Sequence, residues 1–148
     1  MNSLLFSSRN LFLILMFFCS LTCFSQEESI NVPFAVIEDI PRFPKCIDAS
    51  IKEAKECFNQ EMFDHVMNNF NYPKKARRDN IQGRIFVLFL IDFEGNVSII
   101  DTKTPVGCEL LRDEAIRIIK LLPKFKPGEQ KGKPVGVSYA QPINFKLN

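Results

Sequence analysis

Side chains able to do covalent or acid–base chemistry are few in this sequence: one histidine, His65, and five cysteines, Cys19, Cys23, Cys46, Cys57 and Cys108. A cysteine nucleophile needs a base within hydrogen-bond reach. Cys57 and His65 lie on one helix-patterned stretch, two turns apart, which is about 12 Å by helix rise. That is too far for the pair to react together. Asp92, Glu94 and Asn96 around Gly95 match part of a calcium loop, but the downstream glutamate is missing and a tight turn accounts for them. No glycine-rich phosphate loop, histidine pair with a glutamate or close cysteine pair occurs. The chain therefore reads as a non-enzyme with no metal and no cofactor, and His65 as a helix-surface or packing residue.

The elements around these residues follow from periodicity. Ser50 with Glu53 is a capping-box pattern. After it Ala54, Phe58, Met62 and Val66 recur every four residues, and Cys57, Phe63 and Phe70 widen the stripe. This predicts an amphipathic helix ending near Asn68 or Asn69. Pro73 prevents continuation and pushes Tyr72 toward an extended conformation. Lys74, Lys75, Arg77 and Arg78 around Ala76 form a helical turn with a wet basic face. They lack the interleaved aromatics of a nucleic-acid surface.

Gly83 opens a strand with Ile85, Val87, Phe89 and Ile91 on one face and Phe86, Leu88 and Leu90 on the other. A strand apolar on both sides is expected in the middle of a sheet. Asp92 to Asn96 is a hairpin-length turn into Val97 and Ile99. A second helix carries Leu111, Ala115, Ile118, Ile119 and Leu122, with acids early and bases late as the helix dipole favours. The last strand alternates Val135, Val137, Tyr139, Ile143, Phe145 and Leu147 against Gly136, Ser138, Ala140, Asn144 and Lys146. Pro142 cannot donate to a ladder, so this strand is expected at a sheet edge or bulged.

The 148 residues and a net charge of +2 bound one domain with a real core and give no reason to expect nucleic acid. Residues 1–25 read as an export signal or N-terminal anchor: Arg9, an apolar run from Leu11 to Phe18, then smaller and more polar residues to Ser25. Cleavage after Ser25 is expected. Residues 26–45, carrying Pro33, Pro41 and Pro44, form an extended lead-in, and residues 46–148 the domain. Export permits disulfides. Cys46, Cys57 and Cys108 then allow three single pairings. Cys46 with Cys57 is favoured because it brackets a short segment at a helix start, which leaves Cys108 a buried thiol.

Taken in order, Tyr72-Pro73 with Ala76, then Ile81, Gly83, Ile85, Val87, Phe89, Ile91-Asp92 and Gly95, then Leu111, Ala115 and Pro123, then Pro127-Gly128, Gly132, Pro134-Val135, Ile143 and Phe145 resemble the C-terminal domain of TonB energy transducers. Val32-Pro33-Phe34-Ala35-Val36 and the pair Cys46 and Cys57 look like the versions found in Bacteroidetes-type bacteria. The resemblance implies an α+β fold, a three-stranded antiparallel sheet with two helices on one face. It implies a periplasmic binding module that takes a segment of an outer-membrane TonB-dependent receptor by strand addition to its last strand. An inner-membrane motor complex is a further partner in that family. Carried over, Tyr72 lies beside the partner segment, and Asn69 stands where the family has a contacting glutamine. Val137, Tyr139 and Gln141 are the strand residues expected to meet the partner, chiefly through their backbone groups. A structural envelope protein, or a homodimer pairing through the same edge, is the alternative. Both readings require an outer rim of the last strand that the lead-in does not already occupy.

Overall fold

The computed structural model describes residues 31–147. The export signal expected at residues 1–25 lies outside them. The elements are β1 (Asn31–Pro33), a 3-10 turn (Pro44–Cys46), α1 (Ile51–Asn69), α2 (Lys74–Arg78), β2 (Gly83–Ile91), β3 (Val97–Lys103), α3 (Glu109–Lys120), β4 (Gly128–Gln130) and β5 (Lys133–Phe145). The strand order is β1-β5-β2-β3, with β4 hairpinned onto the start of β5.

The antiparallel trio β3-β2-β5 is the sheet the sequence implied, and β1 and β4 are additions to it. β1 runs parallel to β5, pairing Asn31 with Gly136, Val32 with Val137 and Pro33 with Ser138. No local pattern in the lead-in announces a partner a hundred residues away. The short strand also falls on Asn31–Pro33, ahead of the apolar patch from Phe34 to Ile37.

Both long helices form where their patterns place them. Ser50 and Glu53 make the capping box at the start of α1, and the Glu53 carboxylate accepts from the Ser50 hydroxyl at 2.7 Å and from its backbone N–H at 3.2 Å. Those bonds hold the Glu53 carboxyl below its ordinary pKa. Helices α1 and α3 pack on one face of the sheet, where Phe58, Met62, Leu111, Ile118 and Ile119 meet Ile85, Val87, Phe89, Ile143 and Phe145. All of these are fully or nearly fully buried.

β2 is central, as its two apolar faces lead one to expect. With both long helices on the other face, no helix among the described residues covers Phe86, Leu88 and Leu90, and Phe86 remains 39% exposed.

The β2–β3 turn is fixed by Asp92, whose carboxylate accepts from the N–H groups of Glu94 and Asn96 at 2.9 and 2.8 Å. Gly95 has φ +86°, and an added Cβ would lie 1.9 Å from the Phe125 carbonyl oxygen. Only glycine fits there.

The lead-in is built into the domain rather than lying ahead of it. Phe43 is in the core, and Asp39 and Arg42 bridge to Glu129 and Lys126. The buried Arg42 guanidinium pairs with Asp39 at 3.0 Å and donates to the carbonyls of Ile47 and Ala49. Cys46 and Cys57 form a disulfide, and Cys108 is a buried free thiol. No helix among the described residues is long and apolar enough to cross a membrane.

Candidate functional site: the outer edge of β5 and its groove

The backbone of β5 fixes what its outer edge can offer. The Phe34 N–H donates to the Ser138 carbonyl at 3.1 Å, so the polar backbone groups of Ser138 face away from β2. The β2–β5 register is unbroken from Gly83 opposite Phe145 to Ile91 opposite Val137. Alternate residues therefore keep one direction: Gly136, Ser138, Ala140, Pro142 and Asn144 point outward, and Val137, Tyr139 and Gln141 point to β2. β1 takes the outer groups from Gly136 to Ser138. From Ala140 to Asn144 no strand among the described residues pairs with the outer edge.

The rim expected to be wholly open is thus partly closed, and a different set of residues supplies it. The backbone groups of Val137, Tyr139 and Gln141 are spent on β2, and the free ones belong to Ala140, Pro142 and Asn144. Pro142 sits where its missing N–H interrupts no ladder, as an edge position permits.

Beside this free edge runs a groove of roughly 490 Å³ between β5 and α1. Its α1 wall includes Met62, Phe63, Val66 and Met67, and its strand wall includes Tyr139, Gln141 and Ile143. Phe63 and Met67 are 58% and 57% exposed, an apolar surface flanking the buried stripe of Ala54, Phe58 and Met62. The sequence reading placed Phe63 with the core stripe. Its offset of one residue from Met62 puts it on the groove side, and that offset was the signal available.

Each expected site residue can now be placed. Tyr139 lines the groove half-buried, packed against Phe34, Phe58 and Phe89, and burial pushes its phenol pKa up. Gln141 lines it too, and its amide Nε2 donates to the Pro142 carbonyl at 3.0 Å. The Val137 side chain is fully buried. Tyr72 is buried against Phe70 and Phe145, its hydroxyl donating to the Ile81 carbonyl at 2.6 Å, so it supports the end of the site from beneath. Asn69 ends α1: its amide donates to the His65 carbonyl at 2.8 Å, and its own carbonyl accepts from Arg117 at 2.6 Å. Arg117 is locked in turn by a two-pronged pairing with Glu114, which raises its pKa. Neither Asn69 nor Tyr72 lines the groove.

The arrangement offers backbone pairing and apolar contact, with no group of three or more metal-ligating side chains among the described residues. An edge without a strand partner among the described residues, lying beside an apolar groove, is the kind of surface that strand addition uses. Residues 68–147 match the family model for the Gram-negative bacterial TonB protein C-terminal, and the chain belongs to that family. It carries a TonB-type energy-transduction module, of a transport-associated, non-enzymatic family of the cell envelope. The solution structure of the Helicobacter pylori TonB C-terminal domain is similar at 21% identity, with a TM-score of 0.46, over 69% of this chain and 87% of that one. No curated protein matches the sequence.

Proposed function

We propose that this protein acts in the periplasm, after export directed by residues 1–25, and binds an extended segment of an outer-membrane TonB-dependent receptor as a strand added to β5. The seat is the edge from Ala140 to Asn144, with alternate partner side chains entering the groove against Phe63 and Met67. The observation that carries the reading is this unpaired edge lying directly beside exposed apolar side chains of α1. Strand addition draws affinity from backbone hydrogen bonds and selectivity from pockets for every second side chain. β1 occupies the same edge as far as Ser138, two residues short of Ala140, so the seat is confined to the stretch beyond it. Tyr139 and Gln141 contribute side chains to the partner, while Asn69, Tyr72 and Val137 hold the frame.

The test is a titration of the isotope-labelled protein with synthetic peptides copying the N-terminal segments of the host's receptors. Saturable amide shifts at Ala140, Gln141, Ile143 and Asn144, with side-chain shifts at Phe63 and Met67, are expected. Self-association that grows with protein concentration, without peptide-induced shifts, would refute the reading in favour of pairing between copies.

A further inference from the structure

Pro142 leaves a defect at the centre of the free edge. Ala140 and Asn144 each present an N–H and a carbonyl outward, but Pro142 presents only a carbonyl. An added strand, in either orientation, would therefore have one backbone carbonyl facing Pro142 with no donor, and a desolvated orphan carbonyl costs binding free energy. The Gln141 side chain reaches the neighbouring carbonyl of that same proline. Its amide nitrogen lies 3.0 Å from the Pro142 carbonyl oxygen, so one of its two N–H groups is engaged at the rim and the other is unassigned. The Pro142 oxygen, with two lone pairs, can keep this bond and still accept from a partner N–H.

We infer that Gln141 is a binding residue of the docking edge, its carboxamide standing in for the N–H that Pro142 lacks and donating to the partner's backbone carbonyl. This rests on the strand-addition reading above. The contact is to backbone, so it adds affinity for an extended peptide whatever its side chains. Before a partner arrives, the same amide covers the Pro142 carbonyl and so blunts an edge that would otherwise invite pairing with other strands.

The test is a double-mutant cycle on the full mature chain, read as affinity for the receptor peptides described above. Gln141→Met keeps the length and apolar contact of the side chain but removes the donor. It is expected to weaken binding roughly five- to tenfold, the range of one net hydrogen bond. Pro142→Ala restores a backbone N–H, and in that background Gln141→Met is expected to cost less than about twofold, the signature of coupled neighbours. If wild-type protein binds with shifts at Ala140 and Asn144 but Gln141→Met binds equally well, or loses the same factor in both backgrounds, the inference is overturned and the docking reading stands. If no peptide shifts the edge, the docking reading itself falls and this inference with it.

Discussion

His65 donates through Nε2 to the main-chain carbonyl of Ile118 at 2.9 Å, joining the groove-forming helix α1 to α3. A carbonyl can only accept, so Nε2 carries a proton. Asn69 Nδ2 stands 3.5 Å from Nδ1. The lone histidine, a poor candidate for catalysis on sequence grounds, is a cross-brace behind the site. His65→Ala should lower unfolding free energy by about 1–2 kcal/mol, since it removes one part-buried hydrogen bond and some packing. Denaturant unfolding would check this, and amide exchange should quicken selectively in the last turns of α1.

The Cys46–Cys57 bridge closes a short loop at the other end of α1. Chain-entropy reasoning assigns such a loop about 3 kcal/mol. Thermal unfolding with and without reductant, and of the double variant C46A/C57A, should show a drop of that order. Cys108 is buried at 5% exposure with Sγ 3.6 Å from the Gln82 carbonyl, so native protein should resist alkylation at that thiol until it unfolds.

Asp92 gives a pH dependence whose sign is fixed. Partial burial opposes its ionisation, but hydrogen bonds from Asn96 and from the backbone of Glu94 and Gly95 outweigh it, and its pKa lies below the ordinary carboxylate value. The stability it contributes is thus complete above the unfolded-state pKa, about 3.9, and is lost as pH falls through the lower folded value. Asp92→Asn should flatten that part of the acid-unfolding profile. NMR titration of the Asp92 carboxyl should give a midpoint below that of an unfolded peptide.

Phe34 anchors the lead-in, its ring 4.7 Å from Phe58 and 4.8 Å from Tyr139. Phe34→Ala should cost about 1–3 kcal/mol, less than a fully buried phenylalanine because the ring is only partly covered. Hydrogen exchange should then accelerate at Val32, Phe34 and Ser138 while the β2–β5 ladder keeps its protection.

Much of this architecture is legible in the residues themselves. Four-residue periodicity with Ser50 and Glu53 marks α1, alternation marks β2 and β5, and Asp92 with Gly95 marks the hairpin. These signals are local, and each is written in the segment it shapes. The pairing of Asn31–Pro33 with β5 is not local, and three residues carry too little pattern to reveal it. The parity of the rim was hidden for a related reason. Alternating side chains tell which residues face the core, but whether odd or even residues bond to β2 depends on where the neighbouring strand sits. Hence the sequence points to the backbone groups of Val137, Tyr139 and Gln141, whereas the outward groups belong to Ala140, Pro142 and Asn144.

Among the described residues β1 is held along its axis by three paired residues, whereas the chain just behind it is moored by Arg42, Phe43 and the disulfide-closed loop. A tug on the chain ahead of Asn31, directed along that axis, would strain those few bonds side by side and break them together. β1 is already extended, so its release adds little length, and the remainder of the fold is undisturbed. The outer groups of Gly136 and Ser138 would be bared in the same event. A pull at Asn31 would thus lengthen the exposed rim of β5 instead of dismantling the sheet.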